Sequence, residues 1–191
     1  SSNEIFALKE DRNGKVWIAT NGGGLNVYNP DTKRIVKYST EFREDSPFYL
    51  PLNNFLRVIE EDQSGGIWIG SHGAGIAMYS TKLKKFTTYN RAANNLANDI
   101  VLSVLSDRNN HIWVGTGGGG LNLLNTKTNK FISFDEKDGL ANNTIHKIIE
   151  GADSRLWLST NTGISSFDRR TRKFKNYSYH NGIQHSNFVL G

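Results

Sequence analysis

Four tryptophans divide the chain into four similar stretches. Trp17, Trp68, Trp113 and Trp157 are separated by 51, 45 and 44 residues, and an internal period of about 40–50 residues is typical of propeller blades or of stacked helical units. The surrounding residues repeat as well: GKVWIATNGGGLNVYN, GGIWIGSHGAGIAMYS, NHIWVGTGGGGLNLLN and SRLWLSTNTGISSFD. The chain must therefore fold as a row of similar units.

Each repeat contains four short segments that are rich in β-branched and aromatic residues and are separated by turn residues. No long amphipathic helical pattern lies between them. We label the segments A to D; in the first repeat they cover about residues 4–10, 15–20, 24–29 and 34–38. Because four-stranded units at this period are the blades of a β-propeller, the sequence predicts an all-β fold, a β-propeller segment (a partial propeller) of four four-stranded blades. The predicted blades are about 4–38, 55–89, 100–134 and 144–177.

The stretch WVGTGGGGLN, which begins at Trp113, contains the pattern G-x-G-x-x-G of dinucleotide-binding turns. In that fingerprint a helix must follow the glycines, whereas here the predicted strand LNLLN follows. One position between segments B and C is glycine in every repeat: Gly24, Gly75, Gly120 and Gly163. We interpret these glycines as turn residues, and no nucleotide or other cofactor is predicted.

Composition excludes several classes of function. The net charge is +5, but 13 of the 23 Lys and Arg residues fall in the C–D turns and D segments, where basic side chains protect the outer edges of blades; nucleic acid is therefore not an expected partner. The chain has no cysteine, and its five histidines lack metal-binding spacing, so no metal site is predicted. No apolar run approaches the ~20 residues of a membrane span.

The segments LKEDRNGKVWIATNGGGLNVYNP, VIEEDQSGGIWIGSHGAGIAMY and VLSVLSDRNNHIWVGTGGGGLNLLN resemble the two-component regulator propeller repeat. That repeat reads as an apolar strand, Asp, a turn with Gly, [LI]-W-[IV]-G-T, and a Gly-rich turn before G-[LI]-N. The fourth repeat departs from it, since Gly151 stands where the others have Asp11, Asp62 and Asp107. The tail HNGIQHSNFVLG resembles the segment that often opens a last blade in this family, so a further blade is expected to start at 186–191.

Such repeats typically form the periplasmic sensor region of hybrid two-component histidine kinases from Bacteroidetes-type bacteria. In that family two seven-bladed propellers are followed by a β-sandwich, a membrane helix, and cytoplasmic kinase and regulator modules. The ligands are generally glycan breakdown products, and the output is transcription of glycan-utilisation genes. The resemblance implies that this chain is part of the second propeller, is not itself an enzyme, and lies in the periplasmic part of an inner-membrane protein that contacts the membrane only through its other parts.

In propellers with this strand order, the D–A and B–C loops share one face and surround the mouth of the central channel. Asn, Arg, His and Tyr side chains on that face suit a hydroxyl-rich oligosaccharide or another small-molecule ligand. The most irregular loop, STEFREDSPFYLPLNN at 39–54, either contributes to this site or is an insertion that packs on its own scaffold. The predicted ligand-binding residues are Asn21, His72 and Asn161 from B–C turns and Arg43, Tyr49, Asn54 and Arg91 from D–A loops. No catalytic residue is predicted.

Two other functions stay open at this point. Propellers of the streptogramin lyase type look similar at this level and use a histidine in the channel, whereas a protein-interaction scaffold would need no small-molecule site. The resemblance implies seven blades in a ring, so four blades should leave apolar faces exposed at both ends. We expect either self-association of two chains or further blades in a longer protein.

Overall fold

The computed structural model describes residues 3–42, 44, 48–178 and 182. Four groups of four strands follow one another along these residues. Blade 1 comprises β1 (Ile5–Glu10), β2 (Val16–Thr20), β3 (Leu25–Asn29) and β4 (Arg34–Tyr38). Blade 2 comprises β5 (Leu56–Glu61), β6 (Gly66–Ser71), β7 (Ile76–Ser80) and β8 (Lys85–Tyr89). Blade 3 comprises β9 (Val101–Ser106), β10 (Ile112–Thr116), β11 (Leu121–Asn125) and β12 (Lys130–Phe134). Blade 4 comprises β13 (Ile145–Glu150), β14 (Leu156–Thr160), β15 (Gly163–Asp168) and β16 (Lys173–Tyr177).

Helical structure within the described ranges is limited to two short pieces in the loops between blades. These are the single-turn helix α1 (Arg91–Asn94) and a 3₁₀ turn at Glu136–Asp138. Neither they nor any other described helix has the length and apolar composition needed to cross a membrane. The predicted start of a further blade at 186–191 lies outside the described residues.

Each blade is an antiparallel sheet in which the strands pair in chain order. The A strands lie on the inside, since β1 packs against β5, β5 against β9, and β9 against β13. Among the described strands β13 does not return to pack on β1 in this way, so the four blades form an open arc. The predicted fold class, an all-β propeller segment of four four-stranded blades, is confirmed.

The hydrophobic core lies between blades rather than within them. Trp17 of blade 1 packs with Leu56 and Ile69 of blade 2, and its ring lies 5.4 Å from that of Tyr79. Equivalent clusters join blade 2 to blade 3 and blade 3 to blade 4. Because each of the first three blades buries the side that carries its B-strand tryptophan against the next blade, a single repeat cannot complete its own core.

The shared glycine of the B–C turn meets two requirements at once. Gly120 has a φ of +67°, which L side chains rarely adopt, and a Cβ atom at this position would overlap the carbonyl oxygen of Phe134 at the end of strand D. Gly75 is constrained in the same way by Tyr89. Strand β11 follows the glycines and no helix does, which confirms that they are turn residues.

The two ends of the arc expose surfaces that are buried elsewhere. Leu8 of β1 is 62% exposed, whereas the equivalent Ile59 and Val104 of blades 2 and 3 are 5% exposed. At the other end Trp157 is only half-buried, while Trp113 is buried by blade 4. The first and last blades therefore present apolar faces with no neighbouring blade in the described structure.

Candidate functional site

The B–C turns and the D–A loops meet on one face of the arc. The backbone N–H groups of Gly22 and Gly24 both donate to the carbonyl oxygen of Asn54, at 2.9 and 3.1 Å. The same pair of bonds joins the next two B–C turns to the carbonyls of Asp99 and Asn143. The first three B–C turns are thus held by the loops that lead into the following blades, and polar side chains of both kinds of loop lie on the same surface.

The predicted B–C residues differ in their bonding. The side chain of Asn21 donates to the Glu4 carboxylate at 2.6 Å, and the Asn161 side-chain oxygen lies 2.6 Å from Nε2 of His146. His72 is exposed, and its hydrogen bonds within the described ranges are made by its backbone, which donates to the Phe55 carbonyl and accepts from the Asn53 side chain. His72 is therefore free to present its ring to a ligand, while the two asparagines are already oriented by neighbours.

The predicted D–A residues are spread along the same face. Arg91 is the first residue of α1; its backbone N–H donates to Asp99 at 2.7 Å and its side chain is exposed. The Asn54 side chain lies against the B–C turn of blade 1, with its oxygen 2.9 Å from the place where a Cβ of Gly24 would be. Arg43 lies outside the described residues.

The irregular loop at 39–54 both packs on the scaffold and presents aromatic groups. Leu50 is fully buried in the core between blades 1 and 2, and the Phe48 ring packs edge-on against Tyr38 at 5.6 Å. Phe42 is 70% exposed and stands perpendicular to the half-buried Tyr49, with ring centroids 5.5 Å apart. The inner part of the loop is therefore structural, and Phe42 and Tyr49 are available at the surface.

A further set of residues on this face was not predicted. Strand A of every blade has a one-residue irregularity in its pairing with strand B, at Phe6, Arg57, Leu102 and His146. Such bulges redirect side chains and are common next to binding sites. The Arg57 guanidinium lies 4.0 Å above the Phe6 ring, a cation–π contact across two blades.

Two buried polar atoms of this set lack hydrogen-bond partners. They are Nε of Arg57 and Nδ1 of His146 in the part of the chain that the structure describes. A buried donor or acceptor without a partner costs about 1–3 kcal/mol, so each such group calls for a partner, such as an ordered water, an ion or a ligand. The sequence carried one signal: the position eleven residues before each tryptophan changes from Phe to Arg, Leu and His, while the residue before it is aliphatic in every repeat.

Cavities occur on the opposite face, where the sequence predicted none. One of about 650 Å³ lies between blades 3 and 4, and one of about 480 Å³ lies between blades 1 and 2. Both are lined by A–B turns, C–D turns and the B-strand tryptophan. The described residues contain no cluster of three or more His, Asp or Glu side chains that could hold a metal ion.

The four antiparallel blades define a β-propeller segment. Residues 1–22, 95–118 and 139–162 match the model of the two-component regulator propeller, and each match spans an A strand, the following A–B turn and the Trp-bearing strand. Blades 1, 3 and 4 therefore each contain a stretch that is similar to the two-component regulator propeller.

Known proteins with similar chains include Histidine kinase P4 of Formosa agariphila, which is 24% identical over 183 residues, covering 94% of this chain and 13% of the kinase. The extracellular domain of BT3049 from B. thetaiotaomicron, described as a hybrid two-component system, superimposes with a TM-score of 0.80 and 26% identity, covering 97% of this chain and 24% of that one. Virginiamycin B lyase from Staphylococcus aureus matches with a TM-score of 0.71 and 16% identity, covering 92% of this chain and 55% of the lyase, a likeness of fold alone. The chain thus spans a small part of the sensor proteins it matches.

Proposed function

We propose that this chain is an extracytoplasmic, ligand-sensing propeller segment of a hybrid two-component sensor kinase, in the periplasmic part of an inner-membrane protein. The proposal is supported by the 26% identity to the BT3049 extracellular domain across 97% of the chain, and by the similarity to Histidine kinase P4. In this proposal the segment itself binds and does not catalyse, and the kinase activity belongs to other parts of the protein.

The ligand in this proposal is a glycan fragment, and the response is expression of glycan-utilisation genes. The observation that carries the choice of site is the joining of B–C turns and D–A loops on one face, where His72 and Arg91 are exposed. Asn, His and Arg groups match sugar hydroxyls as donors and acceptors. The exposed ring of Phe42, braced by Tyr49, offers an apolar surface for the C–H faces of a sugar.

The unpaired polar atoms of Arg57 and His146 add to this proposal, because both residues lie at the start of an A strand, next to the same loops. A ligand that reached the inner edge of the face would satisfy them. Removing either side chain should then weaken binding as well as relieve an unpaired group.

Calorimetric titration of the complete extracellular region with a panel of oligosaccharides tests the proposal. For a sugar that binds, we expect His72→Ala, Tyr49→Ala and Arg57→Ala each to weaken the affinity at least tenfold. Lys82→Ala, at the exposed C–D turn of blade 2, is the matched control and should leave affinity unchanged. Equal affinity in all four variants would place the site elsewhere.

The second candidate is a lyase-like enzyme, and the fold shared with virginiamycin B lyase favours it. His146, whose Nε2 contacts Oδ1 of Asn161 at 2.6 Å, is one of two histidines on this face, with His72, whose side-chain chemistry suits an acid or base. Turnover of virginiamycin B by the purified chain, abolished in His146→Ala, would favour the enzyme over the sensor. A protein-interaction scaffold would show neither turnover nor saturable binding of a sugar.

A further inference from the structure

The cavity of about 650 Å³ between blades 3 and 4 has an apolar floor. Trp113, Leu123 and Phe134 of blade 3 line it, with Phe167 of blade 4 behind them. The rings pack on one another, with centroids 5.8 Å apart for Trp113 and Phe167 and 4.9 Å apart for Phe134 and Phe167. The volume lies within the ~300–1,000 Å³ of small-molecule pockets, and the floor suits a flat apolar group.

The rim of this cavity is rich in arginine and also carries Asp153 and Asp168. Four arginines line it: Arg155, Arg169, Arg170 and Arg172. The Arg169 guanidinium is already neutralised by the buried Asp107 and by Glu150, the latter at 2.7 Å. Arg155 lies 3.5 Å from Asp153. The remaining two, Arg170 and Arg172, are exposed and form no ion pair with any acidic residue in the described ranges.

The acidic groups of the rim do not form ion pairs with Arg170 or Arg172 in the described ranges. Oδ1 of Asp168 accepts hydrogen bonds from the backbone N–H groups of Arg170 and Thr171 at 2.9 and 3.0 Å, so this oxygen is engaged by the C–D turn. These backbone bonds and the nearby Arg155 lower the pKa of Asp168 and keep it ionised. The ionised Asp168 therefore offsets part of the positive charge of the rim, but it forms no ion pair with Arg170 or Arg172 in the described ranges.

The cavity between blades 1 and 2 shows which features of the cavity between blades 3 and 4 result from blade stacking in general. Between blades 1 and 2, Trp17, Tyr38 and Tyr79 line a cavity at the equivalent place, so an aromatic floor is a general result of blade stacking. Its rim carries Lys15, Arg34 and Lys84. What distinguishes the cavity between blades 3 and 4 is its larger volume and its set of arginines, whose planar forks recognise carboxylates and sulfonates in a way that lysines do not.

We propose that the cavity between blades 3 and 4 binds a small organic anion that has an apolar ring, such as an aromatic carboxylate. The ring lies against Trp113, Leu123 and Phe134, and the acid group is held by Arg170 and Arg172. This site lies on the face of A–B and C–D turns and is independent of the glycan site proposed above. It gives the segment a second ligand of different chemistry.

Naphthalene-2-carboxylate, titrated into the complete chain by calorimetry, is the probe, and the neutral naphthalene-2-methanol is its matched partner. We expect saturable binding of the carboxylate at one site, at least tenfold tighter than the alcohol, and weakened by added salt. The double variant Arg170→Gln, Arg172→Gln should lose at least tenfold in affinity for the carboxylate. Because both side chains are exposed, its unfolding midpoint should match that of the unaltered chain.

The control is the double variant Arg34→Gln, Lys84→Gln in the cavity between blades 1 and 2, which should retain carboxylate binding. Equal affinity for carboxylate and alcohol, or undiminished carboxylate binding in the Arg170, Arg172 variant, would overturn the proposal. Oligosaccharide binding by the same double variant separates the two sites, because it should be unchanged. Carboxylate binding without any oligosaccharide binding would leave this proposal standing and remove the glycan one.

Discussion

The indole N–H of Trp113 donates a hydrogen bond to the carboxylate of Asp107 at 2.9 Å. The same carboxylate accepts the backbone N–H groups of Asn109 and His111, both at 2.9 Å. One buried side chain thus fixes the A–B turn and the orientation of the core tryptophan. The bond recurs between Asp11 and Trp17 and between Asp62 and Trp68, at 2.8 Å in each case.

The bond between Asp62 and Trp68 should be a main determinant of the stability of blade 2. Asp62→Ala removes the acceptor of Trp68 and of the backbone N–H groups of Ser64 and Gly66, leaving buried donors unpaired. We expect the free energy of unfolding to fall by about 2–4 kcal/mol, measured by urea denaturation. Asp31→Ala, at an exposed turn position, is the control, with an expected change of at most about 0.5 kcal/mol. Equal effects of the two would contradict this role.

Asp107 should make the stability of blades 3 and 4 depend on pH in the acid range. Burial opposes ionisation of Asp107, but the hydrogen bonds from Trp113, His111 and Asn109 outweigh burial and lower its pKa. Since the pKa in the folded state is below the unfolded value of about 3.9, the stabilisation is complete above about pH 5 and is lost as pH falls through the folded-state pKa. The urea midpoint of the unaltered chain should fall between pH 6 and pH 2, and the midpoint of Asp107→Asn should fall less steeply over the same range. An identical pH dependence in the variant would refute the assignment.

Gly120 should tolerate no side chain. Gly120→Ala combines a left-handed backbone with an overlap between Cβ and the carbonyl oxygen of Phe134. We therefore expect the free energy of unfolding to fall by more than about 2 kcal/mol. Gly14 also has a positive φ, of +76°, but a Cβ there meets nothing within 4 Å, and Gly14→Ala should cost about 1 kcal/mol, the backbone penalty alone. Chemical denaturation of both variants compares them, and a smaller loss at Gly120 than at Gly14 would show that the turn relaxes.

The repeat pattern was sufficient to predict the fold because each blade is built from local antiparallel pairs. In blade 1 the predicted segments agree within one residue with β1 (Ile5–Glu10) and its three partners. The tryptophan marks strand B, and the glycine that all four B–C turns share marks where strand C begins. The role of the Asp in the A–B turn was not predicted, since its bond to Trp six residues later depends on how the turn folds back.

Contacts between blades could not be read from the sequence. Arg169 pairs with Asp107 across 62 residues, and Arg12 pairs with Glu61 of the next blade at 2.7 Å; nothing in a single repeat indicates these partners. Arg57 and His146 were also missed, because a bulge moves them out of the regular alternation of strand A. The basic residues of the C–D turns were explained as edge protection, but Arg170 and Arg172 also line the cavity between blades 3 and 4, which exists only once two blades are stacked.

The exposed face of blade 1 should behave as an interface, while the equivalent face of blade 2 is core. Leu8 and Ile59 occupy the same position in their A strands, but they are 62% and 5% exposed. Ile59→Lys places a charge in the core between blades 1 and 2. We expect this variant either to lose more than about 3 kcal/mol of the free energy of unfolding or to fail to fold. Leu8→Lys should leave the urea midpoint nearly unchanged.

If the open ends mediate self-association of two chains, Leu8→Lys should also shift light scattering of the isolated chain toward the monomer, because a lysine ammonium cannot be buried against a second apolar face at low cost. Self-association that persists undiminished in Leu8→Lys would show that this end is not the interface, and severe unfolding of Leu8→Lys would show that the face is already covered within one chain.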